Sequence, residues 1–536
     1  MTLRSIRKPA RGARHAGRLA ALALFVALAG CGGGGGGEGS AVLGSAEERT
    51  PRPAVTKEVV EGIQGPAVDG VAGQGYVLVC PGRPDDGLPR NVLVLVGGFS
   101  PNDTDRRPAA GELDRDCGNV GTGNDHHTLV VRYRNGSDAI QRNAGFVRAV
   151  LEWATDRYRL VATDRIVLQG VSMGGVVTRY ALQSMETDGR AHLVDLWVSV
   201  DAPQRGAYIP IGMQHLADLY RDRGGAAALA TIDTPAARQL LTHHYRQRGA
   251  AQTGTDEHRR LYRDELAGTL GGFPKAAGLR RVGVASGRSG DALQAPLPGE
   301  RYVAGRLQVF TKSLPVRRSA AAFPCELSVD VTLPIVGTLV LEAFPLGLQA
   351  NQATRVADSR VDTTVAGFDI DTQRARLVDY IDDRVVVSGA LGLCNAFIAS
   401  EKSRIVSAAV DGAIAQARSE VASLVTRYER SFSAYGDGIH AEGAPGGRSN
   451  YVEQLRTALT AAGFSSEPGV TGGGRHLFVS VASALDIPMS TGRIPPEGLR
   501  DASPFDEVYV EPARNLDHAD TSSGYFAKEV LALFGR

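Results

Sequence analysis

Short runs of consecutive apolar residues, each closed by glycine, a charged residue or proline, recur along the first half of the chain: "GYVLVCPG", "RNVLVLVGGF", "HTLVVRYR", "DRIVLQG" and "LVDLWVSVD" at 193–201. Unbroken apolar runs of this length predict strands buried on both faces. Between them, "DAIQRNAGFVRAVLEWATDRY" sets Ile140, Phe146, Val147, Val150, Leu151 and Trp153 on one side of a helix, and a second helix is predicted from about Gly174 to Met185. Helical segments continue through roughly 265, and "LRRVGVASG" at 279–287 is another strand. Strands alternating with amphipathic helices predict an α/β fold, a mainly parallel sheet with helices on both faces.

The pattern changes after 290. "RLQVFTKS", "CELSVDVTL" and "TLVLEAF" follow one another as antiparallel strands without helices between, and 397–430 has a long polar-faced helical pattern. We read 58–290 as the first part of a core, 291–470 as an inserted α+β region and 471–536 as the last part. In that last part "RHLFVSVASALD" and "FDEVYV" resume the strands of the core, and "SGYFAKEVLALFG" closes the chain as a helix.

At the other end, Arg4, Arg7, Lys8, Arg11, Arg14 and Arg18 precede a short apolar run from Leu19 to Leu28, the layout of a secretion signal over residues 1–30. The sequence Leu28-Ala29-Gly30-Cys31 resembles the bacterial lipobox, which implies a lipidated Cys31 at the mature N-terminus. Gly32 after it implies sorting to the outer membrane, and the glycine-rich stretch 31–57 reads as a flexible tether. The membrane is thus expected as a partner through a lipid. Nucleic acid is not, because 59 basic and 58 acidic residues leave a net charge of +1 and no field to recruit a polyanion. Four further cysteines in an exported chain suggest disulfides, and pairing by neighbourhood joins Cys80 to Cys117 and Cys325 to Cys394. No cysteine–histidine cluster suggests zinc, and Asp369 and Asp371 are too little for a calcium site.

Chemistry concentrates at Gly170-Val171-Ser172-Met173-Gly174, a G-x-S-x-G pentapeptide between the strand "RIVLQ" and a helix. A sharp turn there strains the serine backbone, and small neighbours let sheet and helix approach. Ser172 is the candidate nucleophile, and the N–H of Met173 at the helix start can donate to an oxyanion. The loop "VLVLVGGFSPND" offers a second donor, Gly98 or Phe99. Among the eleven histidines, only His518 lies after the last predicted strand and before the final helix, where a base for Ser172 should come. His126, His127, His243, His244 and His476 read as surface or core residues. The acid stays open among three carboxylates that follow strands: Asp201 first, Asp486 second and Asp291 third.

The segments "VGGFSPND", "NGSDAIQRNAGFV", "GVSMGGVVTRYAL", "VSVDAPQRGAYIP", "FVSVASALDIP" and "SPFDEVYV" resemble the α/β-hydrolase superfamily, and within it bacterial secreted lipases and esterases, over about 90–290 and 470–525. The resemblance implies an α/β-hydrolase fold and a serine hydrolase of carboxylic esters that forms an acyl-enzyme and needs no cofactor. Many such lipases carry histidine where this chain has Gln204, and an Asp-Gly pair where it has Gly474-Arg475-His476. The family's lid would be "IPIGMQHLADLYRDRGGAAALATI", with Ile211, Met213, Leu216 and Leu219 on one side, although a core-packed helix shows the same stripe. An acyltransferase would use the same acyl-enzyme, and a binding scaffold on a degenerate hydrolase fold is the alternative from another class.

Overall fold

The structure is a computed structural model. It describes residues 54–82, 91–100, 113–114, 117–118, 126–219, 225–247, 254–288, 444–451, 475–488, 498–511 and 515–519, a few single residues besides, and the backbone of strands between 301 and 466. The predicted signal peptide 1–30 with Cys31, the tether up to 53, Asp291, Cys394, the side chains of Leu216 and Leu219, and the closing helix lie outside the described residues.

The main sheet contains β1 (Glu58–Val60), β2 (Gln64–Val68), β3 (Val71–Cys80), β4 (Asn91–Val96), β5 (His127–Tyr133), β6 (Arg165–Val171), β7 (Leu196–Val200), β8 (Arg280–Arg288) and, late in the chain, β19 (Glu507–Glu511). Their order is β1-β3-β5-β4-β6-β7-β8-β19, with β2 beside β3. From β5 to β19 every neighbouring pair is parallel. The "GYVLVCPG" strand, β3, instead runs antiparallel to β5. It enters the sheet through a hairpin from β2, whose Asp69 and Gly70 both have positive φ (51° and 74°), so no crossover helix is needed.

Side chains alternate across this sheet as the strand period of two requires. Val77, Val94, Leu129, Leu168 and Trp197 pack on one face, against α1 (Ile140–Tyr158) and α2 (Met173–Thr187). Leu78 and Val130 point the other way and bury Cys117. Cys117 is disulfide-bonded to Cys80, with Cα atoms 5.3 Å apart, so the loop after β4 is tied to the sheet. Val167, Val198 and Val282 form a third apolar group on that opposite face. A mainly parallel sheet covered by helices, with a sharp serine turn at the carboxyl end of its central strand β6, is the α/β-hydrolase fold.

Between β7 and β8 come α3 (Ile211–Leu219), α4 (Gly225–Ile232), α5 (Pro235–Leu240), α6 (Asp256–Arg259) and a π-helix at Arg260–Thr269. The first part of the predicted lid stretch is buried, with Ile211, Met213 and Ala217 of α3 in the core, whereas Ala226, Ala227 and Ala230 of α4 are exposed. Gln214, fully buried, donates to the carbonyls of Ile209 (2.8 Å) and His243 (3.0 Å). The stripe at 211–219 is therefore that of a packed helix.

The region from 301 forms an eight-stranded antiparallel sheet of β9 (Arg301–Ser319), β10 (Cys325–Leu333), β11 (Gly337–Phe344), β12 (Ala353–Asp371), β13 (Arg374–Asp379), β14 (Asp382–Arg384), β15 (Tyr428–Ser433) and β17 (Ser465–Ser466). The predicted helix 397–430 lies outside the described residues except at its end, where 428–430 begin β15. β16 (Gly446–Ser449) and β18 (His476–Ser480) pair with each other in a separate two-stranded ribbon. "RHLFVSV" is thus not a strand of the main sheet. It stops at Ser480, whose Oγ accepts the N–H of Ser483 and caps the short α7 (Val481–Ala484).

His476 of this ribbon is fully buried, and burial, with the charge of Arg448 adding to it, pushes its imidazole down to about 3. The folded state keeps His476 neutral while the unfolded chain protonates near its ordinary value. Its contribution is therefore complete above the ordinary value and is lost as pH falls from there toward about 3. In denaturant titrations at pH 7 and pH 4, His476→Leu is expected to shrink the difference in stability between the two by about 3 kcal/mol. An unchanged difference would show that another group sets the acid limb.

Candidate active site

Ser172 joins β6 to α2 with φ 55° and ψ −126°, outside the conformations that non-glycine residues ordinarily adopt. Such a residue costs on the order of 1–3 kcal/mol and persists only where its surroundings hold it. Its N–H donates to the carbonyl of Val200 (2.9 Å), at the end of the neighbouring strand β7, and its carbonyl accepts from Gly175 (3.0 Å). Helix and sheet meet closely behind it: a Cβ on Gly174 would lie 2.5 Å from the carbonyl oxygen of Val96. The small residues of the pentapeptide are thus there for close approach.

Ser172 Oγ lies 2.7 Å from Nε2 of His518, and Nδ1 of His518 lies 2.8 Å from Oδ2 of Asp201. The carboxylate of Asp201 is fully buried and also accepts the N–H of Ser286 at Oδ1 (3.0 Å) and of Ala519 at Oδ2 (2.9 Å). Three donors thus converge on one buried carboxylate. With Nδ1 of His518 donating to the Asp201 carboxylate, Nε2 is left to accept the Ser172 hydroxyl proton. The structure thus brings together Ser172, His518 and Asp201, residues widely separated in the chain.

The loop carrying His518 is held on both sides. The N–H of Leu516 donates to the carbonyl of Ser286 (2.8 Å), and that of His518 to the carbonyl of Arg448 (2.9 Å). The Asn515 side-chain oxygen accepts from the N–H groups of Arg288 (2.8 Å) and Gly446 (3.2 Å). The imidazole also meets the ring of Phe478 edge to face, with centroids 4.7 Å apart.

Asp486 does not approach His518. Its oxygens pair with Arg179 (3.3 Å) and Arg205 (3.4 Å), and burial raises its carboxyl against the pull of both guanidinium groups. Other histidines have their own partners. Nδ1 of His127 accepts the N–H of Gly82 (3.0 Å), and Nε2 of His244 lies 3.0 Å from the carbonyl of Ile232. Of the oxyanion candidates, Met173 opens α2, so its N–H has no partner within the helix. Gly98 lies against Ser172, since a Cβ there would fall 3.0 Å from Ser172 Cβ. The N–H of Ser100 is spent on the carbonyl of Gly136 (3.2 Å), which pins the loop that bears Gly98 and Phe99. Among the described residues, no group of three or more His, Cys, Asp or Glu side chains could hold a metal ion.

Gly447 in β16 is a site residue that the sequence reading missed. A Cβ on it would stand 2.2 Å from Oδ2 of Asp201 and 3.1 Å from Cα of His518. Its role, like those of Ser286, Ala519 and Arg448, is played by backbone atoms, and no side-chain signal marks it.

A scan against family models finds no match, and a search of curated proteins finds none either. Solved structures match over part of the chain. The thermostable carboxylesterase EstE1 from a metagenomic library aligns at 14% identity and TM-score 0.26, over 44% of this chain and 70% of that one. The esterase Est22 aligns at 17% identity and TM-score 0.26, over 43% of this chain and 62% of that one. The Bacillus licheniformis lipase BlEst2 in its propeptide form gives 15% and 0.23, over 41% of this chain and 40% of that one. The fold assignment rests on strand order and on the serine turn, and these matches are similarities of part of the chain.

Gly447→Ala is expected to slow labelling of Ser172 by a fluorophosphonate by about 100-fold while the thermal midpoint changes little, because the methyl displaces Asp201 and not the main sheet. Labelling at the wild-type rate would mean that Gly447 does not constrain the carboxylate.

Proposed function

We propose that this chain is a serine hydrolase of carboxylic esters, of the esterase or lipase type. Ser172 is the nucleophile, His518 the general base and then acid, and Asp201 the carboxylate that orients the imidazole. The observation that carries this reading is the continuous hydrogen-bond chain from Ser172 Oγ through His518 to buried Asp201, starting at a strained strand-to-helix turn. A binding module has no use for that strain.

In the first step Nε2 of His518 takes the hydroxyl proton as Ser172 Oγ bonds to the ester carbonyl carbon, and the carbonyl electron pair moves onto oxygen. The N–H of Met173 and an N–H of the Gly98–Phe99 loop receive that oxyanion. Its collapse breaks the bond to the alcohol oxygen, which leaves with the proton from Nε2, and the acyl group stays on Ser172. Water, deprotonated by the same nitrogen, repeats the sequence and releases the acid. The Asp201 carboxylate stabilises the imidazolium in both halves. No cofactor enters the scheme.

In this reading residues 1–30 direct export, Cys31 carries the lipid that anchors the chain to the outer membrane, and 31–57 lets the catalytic unit reach substrate. The Cys80–Cys117 disulfide supports an oxidising location. Residues 291–470 are an insertion between the two parts of the hydrolase core.

The test is hydrolysis of p-nitrophenyl esters from acetate to palmitate by the chain lacking residues 1–31. We expect activity that Ser172→Ala lowers by at least about 10³-fold and Asp201→Asn by about 10⁴-fold, with the chain-length profile separating esterase from lipase. A folded protein inactive on every ester would overturn the reading.

A further inference from the structure

The segment that begins with Asp201 turns sharply at both ends, with φ 45° at Asp201, a strained value, and φ 99° at Gly206, which a glycine adopts freely. Buried side chains from several elements hold it. Arg179 lies roughly two turns along α2 from Ser172. Its Nη1 donates to the side-chain oxygen of Gln204 (3.1 Å) and pairs with Asp486 (3.3 Å), its Nη2 donates to the carbonyl of Gly272, and its guanidinium lies over the ring of Phe273. Gln204 in turn donates to Ser199 Oγ (2.9 Å) in β7. The Tyr262 hydroxyl donates to the carbonyl of Pro203 (2.5 Å), and Asp486 reaches Arg205 with its other oxygen. Gln204, the residue that departs from the histidine common in related lipases, is the junction of this network.

Arg179 and Asp486 have only 5% and 13% of their side-chain surfaces exposed. Burial pulls the guanidinium down and pushes the carboxyl up, each opposed by the partner charge, and the other groups facing the pair are Arg205 and Tyr262. A buried pair of this kind adds little stability over well-packed apolar residues of the same volume. Its geometry does something that apolar residues cannot: it ties the helix that starts at Ser172 to the loop that starts at Asp201.

We infer that Arg179 and Asp486, acting through Gln204, are positioning residues that set the placement of Asp201, and through it of His518, relative to Ser172. The inference rests on the Ser172–His518–Asp201 reading. In the chain lacking residues 1–31, the paired replacement Arg179→Met with Asp486→Leu removes both buried charges at once, and Arg205, which loses its contact to Asp486, is exposed enough to be solvated. We expect kcat on a p-nitrophenyl ester to fall about 10- to 100-fold with KM within about twofold, since a small misplacement of an orienting group acts on the chemical step. The acid limb of the pH profile of kcat/KM, which reports the imidazole, is expected to move to lower pH as Asp201 loses its hold on the imidazolium. A shifted thermal midpoint with wild-type kcat and an unmoved acid limb would show a purely structural pair and overturn the inference. If the double variant does not fold, Gln204→Leu decides: it keeps the ion pair and the Asp486–Arg205 contact and removes only the side chain through which the inference has them act, so wild-type kcat there overturns the inference equally. Wild-type activity insensitive to Ser172→Ala would instead overturn the reading beneath it.

Discussion

The parallel pairing of β6 with β7 is the constraint on which the site depends. Val171 stands opposite Val200 in that register, so the next residue on each strand, Ser172 and Asp201, leaves the sheet beside the other. The hydrogen bond from Ser172 N–H to the Val200 carbonyl closes the pairing at its last rung. One residue of slip would turn the apolar faces of β7 over and carry Asp201 away from Ser172. Trp197 facing α2 and Val198 facing the opposite side make that slip costly, so core packing fixes the geometry of the polar groups.

Much of this was written in the hydrophobic pattern. The apolar runs at 91–96, 127–133, 165–171, 196–200 and 280–288 are the strands of the parallel sheet, and the small residues around Ser172 mark the turn because only they permit the close approach there. What stayed open was the acid. Asp201 and Asp486 both follow apolar runs, and their difference lies in neighbours that a linear pattern does not encode: two guanidinium groups for Asp486, two backbone N–H groups and an imidazole for Asp201. β12 escaped notice because "ATRVADSRVDTTVAGFDID" alternates charged and small residues with few large apolar ones. "RHLFVSV" reads as a strand of the main sheet because its composition is the same in a two-stranded ribbon, where it in fact lies.

That ribbon changes how the late chain is understood. β16 and β18 lie outside the main sheet, yet Gly447 abuts the Asp201 carboxylate, the Arg448 carbonyl takes the His518 N–H, and Phe478 packs on the imidazole. The His518 loop is thereby held between the end of β8 and the ribbon, and these contacts join residues far apart in sequence. Closing loops this long costs chain entropy that these contacts must offset.

Strain is distributed to match. Among the described residues, seven non-glycine positions have positive φ, and Ser172, Asp201 and Ala519 are three of them, with Asp486 a fourth. The first three are the two residues at the ends of the hydrogen-bond chain and the residue whose N–H clamps the acid. A backbone held in such conformations has few alternatives nearby, because any relaxation must break several hydrogen bonds at once. In the proposed reaction, rigid placement of a buried carboxylate, an imidazole and a hydroxyl removes the reorganisation that charge development would otherwise demand, and the backbone strain is the cost of that preorganisation.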